Sequence, residues 1–95
     1  MNLGAWIEEN GRKPRILVNI QDRALLGRVA MELDFCDLEI CVDNDSFITQ
    51  SAVDSDADLV LTHREIPDCP VVQAIVTQDA KDLKGMLEKM LEDLT

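Results

Sequence analysis

The side chains in this sequence that could react, coordinate or recognise are one histidine, three cysteines, a threonine beside the histidine and scattered carboxylates. His63 is the only histidine and ends an apolar run in the stretch "DADLVLTHREIPDCP", residues 56–70. An imidazole there can accept a phosphoryl group, act as a general base or contact a partner, or it can simply be a partly exposed strand-end residue bonded to a neighbouring carbonyl or carboxylate. Nucleophilic catalysis needs an activated Ser, Thr or Cys beside a base. Thr62 adjoins His63, but successive strand residues point to opposite faces, so adjacency in sequence is not adjacency in space. Cys36, Cys41 and Cys69 are odd in number and form no C-x-x-C pair, and one histidine cannot complete a zinc set. They read as reduced, mostly structural thiols. Cys69 stands apart because it falls in an expected loop close to His63.

Metal and phosphate chemistry fare no better. A magnesium site needs converging carboxylates. Asp22 and Asp43 are the acids placed to approach one another, but Ile20 and Gln21 supply no second acid beside Asp22. A phosphate cradle needs glycine-rich backbone at a helix start. "NIQDRA" has no glycine, and Gly27 falls inside the following helix. No metal, no cofactor and no catalytic residue is expected.

These groups depend on the elements that carry them. "RILVNI" (15–20) is a short apolar run typical of a buried strand. Over 21–34 the period changes, with Leu25, Leu26, Val29, Ala30 and Leu33 at helical spacing and Asp22 as N-terminal cap or first-turn acid. Gly27 costs that helix roughly 1 kcal/mol against alanine and is expected to allow close packing on the sheet. "DLEICVD" (37–43) alternates, which suits a strand near a sheet edge. "DNDS" (43–46) is turn and cap chemistry. A weak helix over 46–57 would use Phe47, Ile48 and Val53 as apolar contacts. "DLVLT" (58–62) and "VVQAIV" (71–76) are two further strands. The last segment, 77–95, carries a stripe of Leu83, Met86, Leu87, Met90, Leu91 and Leu94, capped at Thr77 or Asp79. The methionines read as core rather than as a soft binding face.

The order is β-α-β-α-β-β-α, which predicts a small open, mostly parallel four-stranded α/β sheet. The span "HREIPDC" between the third and fourth strands has seven residues, too few for a crossover helix. Fully extended it reaches roughly 23–25 Å, and a six-residue strand is roughly 20 Å long. A parallel return is therefore just possible, and an antiparallel fourth strand is the alternative. Residues 1–14 read as a flexible N-terminal arm that Trp6 and Ile7 can dock, and residues 15–95 as one domain.

At 95 residues, 46% hydrophobic and 29% charged, the composition is that of one globular domain. The formal charge of −10 repels a phosphate backbone, which argues against nucleic acid as a partner. No apolar run approaches the ~18 residues of a membrane span, and "MNLGAWIEENGRKPR" lacks a signal-peptide core. A soluble cytoplasmic chain without membrane insertion is the expectation.

In an open α/β sheet, reactive groups gather beyond the carboxyl ends of the strands. Those ends offer Asn19, Gln21 and Asp22, then Asp43, Asn44 and Asp45, then Thr62, His63 and Arg64, then Thr77 and Gln78. From these, Asp22, Asp43, His63 and Arg64 are selected as a protein-binding surface, with the first helix of the domain (21–34) as the alternative.

Two families share features with these stretches. "RILV" with "DRALLGRVAMEL" resembles the first strand and helix of the response-regulator receiver domain, whose fold is flavodoxin-like. "DADLVLTHREIP" resembles that family's phosphorylation loop, D-L-V-L-x-D-x-x-M-P. His63 stands where the acceptor aspartate would be, with Pro67 in register after it. Ile20 and Gln21 replace the metal-binding acid pair, and one strand–helix unit is missing. The resemblance implies a truncated pseudo-receiver, similar to the shortened domains of some hybrid sensor kinases. Its partner would be a kinase, phosphotransfer or response-regulator domain. "ADLVLTHREI" is also similar to the IIB component of sugar phosphotransferase systems, which shares the short connection to the next strand. That family carries phosphate on a cysteine after the first strand, and here "NIQDRA" has none.

Overall fold

The computed structural model describes residues 3–40, 48–79 and 81–94. The apolar runs form the strands: β1 (Arg15–Asn19), β2 (Asp37–Ile40), β3 (Leu59–Thr62) and β4 (Gln73–Ile75). The helices are α1 (Leu3–Asn10), α2 (Arg23–Glu32), α3 (Ile48–Asp54) and α4 (Leu83–Leu94). The sheet order is β2-β1-β3-β4 and every pairing is parallel. This is an open α/β sheet compatible with a flavodoxin-like fold. The fourth strand, whose direction the sequence leaves open, is parallel to β3, with Leu61 opposite Ala74 and Thr62 opposite Ile75.

Strand alternation divides the core in two. Ile16, Val18, Leu59, Leu61 and Ala74 face α1, α2 and α4, whose Trp6, Val29, Leu33, Leu83, Leu87 and Leu91 fill the layer. Leu17 and Val60 face the other way, against Ile48 and Ala52 of α3 and against Ile66. Each such aliphatic side chain, fully buried, contributes roughly 1.5–3 kcal/mol. β1 and β3 are central and buried on both faces, which explains their unbroken apolar sequence. β2 alternates because it is an edge. Met86 and Met90 pack partly buried against the larger cluster, as core side chains do.

The N-terminal segment departs from the expected flexible arm. Leu3–Asn10 is helical, and Leu3 and Trp6 are buried in the main cluster. The Leu3 N–H donates to Glu88 of α4 at 2.8 Å, so the segment is tied to the last helix. Arg12 then stacks over the Trp6 ring, 5.2 Å from its centroid. The same Arg12 forms a two-pronged bond to Asp58 at the start of β3, at 2.7 and 2.8 Å. Two apolar anchors and one ion pair order a stretch whose polar composition reads as loose.

Other expectations shift by smaller amounts. α4 starts at Leu83, not near Thr77. Asp82 is its cap, accepting the Gly85 N–H at 2.9 Å, while Gln78 reaches across to Asp22. In α3 the buried residues are Ile48 and Ala52, and Val53 is exposed. Phe47 lies outside the described residues.

Gly27 makes no close approach to the sheet: a Cβ there meets nothing within 4 Å. Its cost in helix propensity is therefore uncompensated. Gly27→Ala is expected to stabilise the domain by up to about 1 kcal/mol. A urea titration checks this as a higher midpoint with an unchanged slope.

Candidate functional site

Parallel pairing brings the ends of β1 and β3 into register, with Asn19 opposite Thr62. Both side chains are fully buried. Asn19 donates its Nδ2 to Thr62 Oγ1 at 3.2 Å, and that hydroxyl donates to the Arg64 carbonyl at 2.9 Å. The Thr62 hydroxyl is thus buried and committed to the backbone turn that follows β3. Its proton points to that carbonyl rather than to His63.

His63 is exposed on the rim just past the strand. Its Nδ1 lies 3.0 Å from the Asn19 carbonyl oxygen, which can only accept. Nδ1 therefore donates to that oxygen. The His63 backbone N–H reaches the same carbonyl at 3.4 Å. β1 thus orients the imidazole through one backbone oxygen. Arg64 is exposed beside it.

Asp22 caps α2 in extended backbone, with φ −67° and ψ 117°. One carboxylate oxygen accepts the Leu25 N–H at 2.9 Å, and the other accepts the side-chain amide of Gln78. The Leu25 bond does most to pull its pKa below the ordinary carboxylate value, against a desolvation penalty, with help from Gln78 and the Ala24 N–H. Each oxygen accepts a bond, one from the start of α2 and one from Gln78. Gln78 also lends its carbonyl to Arg28 at 3.4 Å. A cleft of about 270 Å³ lies there, lined by Ala24, Leu25, Arg28 and Gln78.

The structure therefore brings Asn19, Thr62, His63 and Arg64 together at the ends of the two central strands. It places Asp22 nearby as a cap bonded to Gln78. Asp43, the remaining expected site residue, lies outside the described residues, as do Asn44, Asp45 and Cys41. Among the described residues no group of three or more His, Cys, Asp or Glu side chains converges to hold a metal ion.

Sequence reasoning missed two residues that tie backbone to the sheet, both at the amino-terminal end of a strand. Gln73 of β4 bonds the Ile66 backbone twice, accepting its N–H and donating to its carbonyl, both at 2.7 Å. The side-chain amide acts like one more strand rung and holds residues 63–72 against the sheet. A polar residue inside the apolar run "VVQAIV" was the available signal. Asp58 is the other, an acid at the head of a buried strand.

The described thiols, Cys36 and Cys69, sit with the two apolar clusters. Cys36 is buried, and burial, followed by the charges of Asp37 and Asp34, pushes its pKa up to about 11. Only the thiolate is nucleophilic. Cys36 is expected to resist iodoacetamide in the folded protein at about pH 8 and to react in denaturant, as peptide mapping would show. Cys69 is half-buried against the Ile66 cluster.

No protein-family model matches this chain, and no curated protein or solved structure matches it significantly. Among the described residues, no helix is long and apolar enough to cross a membrane.

Proposed function

We propose that this chain is a non-catalytic, receiver-like signalling domain, a pseudo-receiver acting in the cytoplasm within a two-component or phosphorelay system. It binds a kinase, phosphotransfer or response-regulator domain through the strand ends. The observation that carries this reading is the rim of β1 and β3. An exposed imidazole held by the Asn19 carbonyl and an exposed Arg64 stand just past β3 on a β2-β1-β3-β4 parallel sheet, and the sequence resemblance supports reading this as the receiver's acceptor loop. Aspartyl-phosphate chemistry needs an acceptor carboxylate and an acid pair around magnesium. Here Ile20 and Gln21 supply no acid pair, and Asp22 accepts bonds from the start of α2 and from Gln78. What remains exposed suits recognition, with His63 and Arg64 as the contacts.

Calorimetric titration against a panel of kinase dimerisation modules, phosphotransfer domains and receivers tests this. His63→Ala and Arg64→Ala are each expected to weaken binding of the cognate member about tenfold, the scale of a good interface contact. Unchanged affinity in both variants would remove the strand ends as the contact surface.

One feature favours a second reading, a IIB-like domain of a sugar phosphotransferase system without its active cysteine, acting in sugar-transport regulation. Residues 63–72 join two parallel strands without a helix, as the short connection of that family does. Calorimetric titration with a IIA-type domain separates the readings, because binding there supports the second and binding only to two-component modules the first.

A further inference from the structure

β2 is an edge of the sheet, and its alternation sorts its groups by chemistry. The Asp37 N–H donates to the Pro14 carbonyl at 2.8 Å, so Asp37 and Glu39 turn their backbone groups towards β1. The backbone groups of Leu38 and Ile40 then point outward, and among the described residues no strand pairs with them. The side chains divide at right angles to this. Leu38 and Ile40 lie on the sheet face of Ile16 and Val18, and Ile40 is 48% exposed. Asp37 and Glu39 lie on the opposite face, beside Arg15 and Leu17.

Behind the edge on that acidic face is a cleft of about 200 Å³, lined by Leu17, Leu38, Ala57, Ser55 and the two acids, with Ile16 and Arg15. Its floor is apolar and its rim carries Asp37 and Glu39. Arg15, the one cation among the lining residues, is paired with Asp56 at 3.1 Å. From Asp34 to Asp58, every side chain charged at neutral pH is a carboxylate. An apolar floor with an acidic rim suits the stem and head of a lysine or arginine.

We propose that the outer edge of β2 receives an extended segment of a partner protein in which Lys or Arg alternates with apolar residues. The added strand hydrogen-bonds to Leu38 and Ile40. Its basic side chains meet Asp37 and Glu39 and lie in the cleft, and its apolar side chains cover Leu38 and Ile40. Charge also selects the occupant. Edge-to-edge pairing of two copies would set Asp37 and Glu39 against the same acids, which disfavours it. The strand-end reading is not needed for this surface and can fail without it.

An ¹⁵N-resolved NMR titration with a blocked peptide of alternating Val and Lys, and with its Val/Glu counterpart, tests the edge. The expected result is shifts at the Leu38 and Ile40 amides with the Val/Lys peptide alone, weakening as salt is added. The double variant Asp37→Lys, Glu39→Lys and the single variant Ile40→Pro are each expected to lower affinity at least tenfold. The second removes an outward N–H that no β1 pairing uses. Both changes fall at exposed positions, and circular dichroism confirms the fold. Equal binding of both peptides, equal binding to all variants, or shifts confined to α4 or residues 63–72 would overturn the proposal. So would self-association that broadens the Leu38 and Ile40 amides without peptide.

Discussion

Asp58→Ala is expected to destabilise the domain by about 2–3 kcal/mol, the range for losing charge-assisted hydrogen bonds at a partly buried site. Asp58 takes two bonds from Arg12, at 2.7 and 2.8 Å, and a third from the Arg15 N–H at 2.8 Å. Its side chain is 17% exposed and that of Arg12 is 35% exposed, so the pair is better shielded than a surface salt bridge. Truncation leaves the head of β1 without an acceptor and frees the guanidinium that stacks on Trp6, loosening α1 as well. Asp58→Asn keeps an acceptor for the Arg15 N–H and should lose less. Urea unfolding of both variants, with Arg12→Ala to close a double-mutant cycle, measures the coupling.

The pH dependence follows from the same bonds. Burial alone would raise the Asp58 pKa, but the hydrogen bonds from Arg12 and the Arg15 N–H, with the charges of both arginines, bring it below its ordinary value of 3.8. A carboxylate whose folded pKa is depressed stabilises the fold above its unfolded pKa. The contribution is lost as pH falls through the lowered folded value. The stability gap between wild type and Asp58→Ala is therefore expected to be full at neutral pH and to narrow in acid.

Ile66→Ala is the second large effect, expected to cost about 2–4 kcal/mol as a buried aliphatic truncation. Ile66 is 3% exposed and packs with Leu17, Val60, Ile48 and Ala52. On that face the chain passes from β3 to β4 through residues 63–72 without a helix, so Ile66 supplies the cover a helix would have given. Gln73→Ala is expected to cost less, about 1–3 kcal/mol, because it leaves the Ile66 N–H and carbonyl without their rung. Hydrogen exchange should separate the two. Loss of Gln73 raises exchange in residues 63–72 first, whereas loss of Ile66 lowers global protection.

The parts legible in the sequence are those set by local periodicity. The unbroken runs of β1 and β3 announce strands buried on both faces, and the Leu/Met stripe announces α4. The alternation in "DLEI" announces an edge, and Asp22 caps the helix it precedes. What escaped depends on contacts distant in sequence. The pairing of Arg12 with Asp58 and the return of Gln73 to Ile66 have no local signature. Helix α1 lacks a strong stripe and is ordered by Leu3, Trp6 and the bond to Glu88. α4 starts at Leu83 behind the Asp82 cap, and the bond of Gln78 to Asp22 joins two segments far apart in sequence. At the rim, the strand-end position of His63 was readable from the end of the apolar run. Its hold on the Asn19 carbonyl required the parallel register of β1 and β3.

The most direct test of a recognition domain without phosphoryl transfer is intact-mass spectrometry after incubation with acetyl phosphate and magnesium. The expected result is the unmodified mass for the wild-type chain. A phosphoryl adduct that disappears in His63→Ala would contradict it and make the rim a working phosphoacceptor site.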